Sequence, residues 1–96
     1  MDPADGRYLD SLVNEAEQLV IREIRRQVAG VPGVCTCDEC MLDMAAYALN
    51  KVRPRYRVSL LDTVFADRKE RGAYQQEIEE AVAEAIQVVK AHPSHD

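Results

Sequence analysis

Apolar residues recur at spacings of three and four in three separate stretches, and this periodicity constrains the fold more than any other feature of the chain. In the first stretch Leu9, Leu12, Val13, Ala16, Leu19, Val20 and Ile24 share one side of a 3.6-residue repeat, as in an amphipathic helix with one buried face. The spacing predicts a helix from Leu9 to about Gln27 or Ala29, stopped by Gly30, with Pro32 and Gly33 turning the chain. Arg22, Arg25 and Arg26 fall in its last turns, where positive charge suits the negative end of the helix dipole.

A second helix announces its own start. Thr36 followed three residues later by Glu39 fits a capping box, in which each side chain accepts a hydrogen bond from a first-turn N–H. Met41, Met44, Ala45, Ala48, Leu49 and Val52 would form its buried stripe, and Pro54 disfavours helix at Arg53, so the end is expected near Asn50 or Val52. Residues 56–66 read as a loop holding one short helix or extended piece. After Gly72 the stripe Tyr74, Ile78, Ala81, Val82, Ala85, Ile86 and Val89 predicts a third helix ending near Ala91, with Glu77, Glu79, Glu80 and Glu84 mostly on its other face.

Three long helices, with room for a short fourth element, make an all-α bundle. The expected organisation is a lead-in over residues 1–8, one helical domain over 9–91 and a tail over 92–96. A chain of 96 residues buries only roughly two-thirds of its unfolded surface, so one core is all it can sustain. Such a unit often draws on a metal, a disulfide or a partner. A homodimer through the first or last helix is the natural way to cover leftover apolar area.

The net charge of -5 argues against general binding to nucleic acid or anionic membranes. No apolar run approaches the roughly 20 residues of a membrane span, and the acidic start MDPADGRYLD lacks the pattern of a signal peptide. The expected location is cytoplasmic. In that reducing compartment Cys35, Cys37 and Cys40 are better read as metal ligands or redox groups than as a disulfide framework.

A helix N-terminus lowers thiol pKa, and three thiolates converging there suit zinc, which takes a fourth ligand. Candidates are His95 and His92 in the tail, Asp43 one turn beyond Cys40, or a group from a second subunit. The competing readings are redox-sensing thiols and inert free cysteines. Asp43 also reads as a polar anchor, the two histidines as solvated tail residues, and Met41 and Met44 as core.

Lys51, Arg53, Arg55 and Arg57 surround Pro54 and Tyr56. Several guanidiniums beside an aromatic ring can grip phosphates and stack on a base. The plainer reading is a solvated loop whose arginines pair with the chain's many acids. Nothing resembles a catalytic constellation, because the histidines lie in a terminal tail and there is no Gly-rich phosphate loop or nucleophile motif.

The order Cys35, Cys37, Cys40, Asp43, Ala46, Ala48-Leu49-Asn50, then Pro54 and Tyr56, resembles the ComFB family, the late competence development proteins of bacteria. Asn14, Glu17 and Glu23 in the first helix and His92-Pro93 after the last fit the same pattern, so the likeness spans about residues 9 to 93. Members are small, helical, dimeric and cytoplasmic; some are associated with zinc at the cysteines, and others act as receptors for cyclic di-GMP. The resemblance therefore implies a non-enzymatic signalling module linked to competence or motility, with a downstream protein partner. It would hold zinc on Cys35, Cys37 and Cys40, with a histidine, His95 first among the candidates, needed to fill the shell, and cyclic di-GMP on Lys51, Arg53, Arg55, Tyr56 and Arg57. The chain departs from the pattern where Arg53 replaces the first proline of a common Pro-Pro pair, and where no fourth cysteine exists. The alternatives are a zinc or redox sensor and a protein-interaction adaptor without a nucleotide.

Overall fold

The computed structural model describes residues 12–57 and 68–93. Along the chain run β1 (Val13–Asn14), α1 (Glu15–Val28), α2 (Asp38–Lys51), β2 (Tyr56–Arg57) and, renumbered in order, α3 (Arg68–Ala91). The three helices pack mutually, α3 lying against both α1 and α2. Their stripes form one core: Ala16, Val20 and Ile24 from α1, Cys40, Met44 and Ala48 from α2, and Tyr74, Ile78, Val82, Ala85, Ile86 and Val89 from α3. The all-α bundle expected from the periodicity is the observed architecture. No helix among the described residues is long and apolar enough to cross a membrane.

Three element boundaries differ from the sequence expectation. α1 begins at Glu15, not Leu9, because Asn14 caps it: the Asn14 side chain accepts the Ala16 N–H at 3.1 Å and the Arg55 N–H at 3.0 Å. Upstream of that cap Val13 and Asn14 pair antiparallel with Arg57 and Tyr56, and Leu12 is exposed instead of joining the stripe. α3 begins at Arg68, so Gly72 lies inside the helix, and the 24-residue length with its buried stripe outweighs one weak position. The third difference is the cap of α2, taken up below. Leu9, the lead-in, the short fourth element expected within 56–66 beyond Arg57, and His95 all lie outside the described residues.

Among the described residues one charged side chain is buried. Glu23, 4% exposed, accepts from Arg26 Nε at 3.0 and 3.1 Å and from Gln27 Nε2 at 2.7 Å. Gln27 also donates to the Glu79 carbonyl at 3.0 Å, which ties α1 to α3. The hydrogen bond from Arg26 lowers the Glu23 pKa below 4.5, against the opposing effect of burial and with help from Gln27.

Because the folded-state pKa is depressed, this carboxylate stabilises the protein above its unfolded pKa, and that contribution is lost as pH falls through the folded value. Glu23→Gln should cost roughly 1–3 kcal/mol at neutral pH, and the gap from the parent should close as urea denaturation is repeated at increasingly acidic pH below 4.5. Gly72→Ala should act oppositely. A Cβ there meets nothing within 4 Å, so a gain of about 0.5–1 kcal/mol is expected from the same urea curves.

Candidate functional site

The turn between α1 and α2 delivers the cysteines. Gly33 adopts φ 79°, a conformation glycine takes without strain, and the Lys90 side chain of α3 passes beside it. Val34 and Cys35 then pack on the core, so the loop enters α2 from a fixed direction. The capping residue is Cys37, not Thr36: Cys37 is extended (φ -69°, ψ 164°) and its Sγ accepts the Cys40 N–H at 3.5 Å. Sulfur is a weaker acceptor than a hydroxyl, yet the cap lies one residue beyond Thr36, with the Cys37 sulfur beside those of Cys35 and Cys40.

All three Sγ atoms lie within 4.8 Å of one another. Tetrahedral zinc with Zn–S bonds of about 2.3 Å needs sulfur pairs roughly 3.8 Å apart, so a small closure of this triangle accommodates the ion. Cys40 is buried, Cys35 half-buried and Cys37 exposed, and none of the three is in a disulfide. The Cys35 thiol lies below its usual range, chiefly because the Cys37 backbone N–H points at it, aided by the Cys37 and Cys40 side chains and opposed by burial. Amide donors aimed at sulfur are what a metal-bound thiolate uses. Soft sulfur donors suit zinc or another thiophilic ion over magnesium or calcium. Among the described residues no carboxylate or histidine joins the cluster: Asp43 and His92 are exposed and outside it.

The basic loop is built from the other end of α3. Tyr74 is buried, and its hydroxyl donates to the Arg53 carbonyl at 2.6 Å. Glu77 accepts both the Arg53 N–H at 3.0 Å and the Arg53 Nε at 3.1 Å. The Glu15 N–H donates to the Arg55 carbonyl at 2.7 Å, completing the anchorage. Arg53 and Arg55 both lie over the Tyr74 ring, 5.6 and 5.2 Å from its centroid. Burial and the Glu77 charge raise the Tyr74 pKa, with Arg55 and Arg53 pulling the other way.

Arg55 also pairs with Glu15 at 3.5 Å and borders a cavity of about 460 Å³ lined further by Leu19, Arg71, Tyr74 and Gln75. Lys51 is drawn elsewhere, to Glu84 at 3.5 Å and the face of Tyr47. Tyr56 is 61% exposed, and the Arg57 side chain lies outside the described set. The geometry thus brings Arg53 and Arg55 together and leaves Lys51 apart. It adds Tyr74, which periodicity assigned only to a helix stripe, and Arg71 and Gln75, which no local pattern singled out.

A family model for the late competence development protein ComFB matches residues 13–93. The chain belongs to the ComFB family. The solved structure of late competence protein ComFB from Bacillus subtilis is similar, with a TM-score of 0.69 and 27% identity, covering 86% of this chain and 92% of that one. No curated protein matches. The match spans both the cysteine turn and the basic loop of this ComFB-family chain.

If the thiols hold zinc, the protein purified under reducing conditions should contain one equivalent per chain by atomic emission. Cys40→Ser should lose most of it, and chelation should lower the parent's melting temperature by several degrees, since metal binding to the folded state adds directly to stability.

Proposed function

We propose that the chain is a non-enzymatic regulatory protein of the competence type, homodimeric, with zinc as a structural staple and cyclic di-GMP as the ligand of its basic loop. The observation that carries the nucleotide reading is the convergence of Arg53 and Arg55 on one tyrosine, with Arg55 bordering a cavity whose volume falls in the range of small-molecule sites. Guanidiniums grip phosphates in paired hydrogen bonds, and the exposed Tyr56 offers a face to a guanine. Lys51, held by Glu84 and the face of Tyr47, stands apart from the Arg53 and Arg55 pair. Glu15 and Glu77 now occupy the guanidiniums, so phosphate would take over positions that these carboxylates hold.

Cys35, Cys37 and Cys40 would hold zinc, whose contribution there is to cross-link the loop to α2. The fourth position would fall to His95, His92, Asp43 or a second copy. A downstream protein would read the nucleotide-bound state, and the competence link follows the name of the similar Bacillus subtilis protein.

Calorimetric titration of cyclic di-GMP into zinc-loaded protein, with cyclic di-AMP alongside, tests this directly. Cyclic di-GMP should bind saturably, Arg55→Ala should weaken it by at least about tenfold, and Cys40→Ser should lower melting temperature with little change in affinity. No heat from either nucleotide would move the reading to a protein-interaction adaptor. The exposure of Cys37 favours one other reading, a zinc or redox sensor in which the thiols carry the signal. That reading expects stoichiometric peroxide to release the metal to a chromogenic chelator, whereas a purely structural staple retains it.

A further inference from the structure

Between α1 and α2 runs a groove of about 390 Å³ that α3 does not reach; its walls are Ile21 and Ile24 on one side and Met41, Leu42 and Ala45 on the other. Leu42 is 70% exposed and Ile21 41%. A lone exposed leucine is ordinary on a protein surface. Here it stands beside a concave apolar strip of similar chemistry, so the same face carries a knob and a hollow.

The charges on the rims are segregated. On α1 the rim is basic: Arg25 lines the groove, and Arg22 joins it in an adjoining shallow hollow that shares Ile21 and Arg25. On α2 the rim is acidic: Asp38 lines the groove, and Asp38 and Glu39 precede Leu42 by four and three residues, which puts them on its side of the helix. Among the described residues none of Arg22, Arg25, Asp38 and Glu39 takes part in an ion pair, although Arg25 and Asp38 line one groove. Arg26, Lys51, Arg53 and Arg55 are all paired within the chain. Unpaired charges of opposite sign therefore stand on the two sides of this apolar strip.

We infer that this α1–α2 face is where a second copy of the chain docks, an inference that rests on the dimeric reading given under Proposed function and places its interface. The symmetry follows from the rims. A two-fold axis running along the groove lays the basic rim of each copy on the acidic rim of the other, with Leu42 of each entering the partner's hollow. An axis across the groove would stack like charge on like. The two halves of one such interface are the same patch, so self-complementarity is the requirement, and a strip with opposite charges on its two edges meets it. Two packed 14-residue helices present a face about 20 Å long and about 20 Å wide. Burying that face on both copies covers on the order of 800 Å² in projection, which the relief of the side chains raises toward the lower end of the range for specific interfaces.

Sedimentation equilibrium on the zinc-loaded full chain across a concentration series tests the placement. The parent should be a dimer. Leu42→Glu, at a position too exposed to matter for the monomer's fold, should be monomeric with the parent's helical circular-dichroism spectrum. Arg25→Glu and Asp38→Arg should each weaken the dimer by at least about tenfold, and the double exchange should recover most of the loss, because it restores opposite charges across the interface. A dimeric parent whose association ignores Leu42→Glu, or a charge exchange that fails to rescue, overturns the placement while sparing the dimer. A parent that is monomeric throughout overturns both and leaves the groove to a different protein.

Discussion

Burial of the α3 stripe is the interaction on which everything else in this chain depends. Helices of 14 residues are marginal on their own in water, so α1 and α2 persist only by covering Tyr74, Ile78, Val82, Ala85, Ile86 and Val89. The long helix also spaces the two candidate sites. Tyr74 and Glu77 organise the basic loop near its start, and Lys90 flanks the cysteine turn near its end. At 1.5 Å per residue those points are about 24 Å apart along the axis. Changes at one site should therefore leave the geometry at the other intact unless they unfold the helix between them.

The parts of this arrangement legible in the sequence are those written in local periodicity. Apolar spacing located the three helices and nearly all of the core, and the closeness of Cys35, Cys37 and Cys40 in the chain carried through to space. What local pattern misreads is competition for backbone donors. Leu12 and Val13 continue the helical spacing, yet Asn14 accepts N–H groups from both Ala16 and Arg55, and a contact 41 residues away has no local signature. Thr36 is the better capping residue by chemistry, but the Cys37 sulfur takes the Cys40 amide. The capping rule counts one helix end at a time; the fold places three thiols and one loop together. Tyr74 was legible as core but not as a platform for two arginines, since only tertiary structure brings residues 53–55 to α3.

The basic loop shows how a chain of net charge -5 can hold guanidiniums ready without fixing them by ion pairing. The Arg53 side chain is 65% exposed in its pair with Glu77, and pairs of that kind contribute at most about 1 kcal/mol. Backbone bonds do the positioning instead, through Asn14, the Tyr74 hydroxyl and the Glu77 carboxylate. Arg55 differs: it and Glu15 are 22% and 21% exposed, so less solvent screens their attraction. A ligand phosphate would displace the acid from Arg53 at small cost and from Arg55 at a larger one. Selectivity would then sit at Arg55, the residue that borders the cavity.

Electrostatics at the start of α2 gives the cysteine cluster its own logic. Asp38 and Glu39 occupy the first turn, where the helix dipole favours negative charge. Three thiolates at the same end would compete for that one positive pole, and mutual repulsion among as many as five anions exceeds what a half-charge dipole offsets. Two resolutions exist: the thiols stay protonated, or a divalent cation neutralises them. The second also turns the amides of Cys37 and Cys40, which already face sulfur, into donors to charged thiolates, where such bonds are stronger. Asp38 lines the apolar groove and Glu39 follows it, so a cation at the cysteines would set the charge and the rigidity of the edge that the proposed second copy would meet.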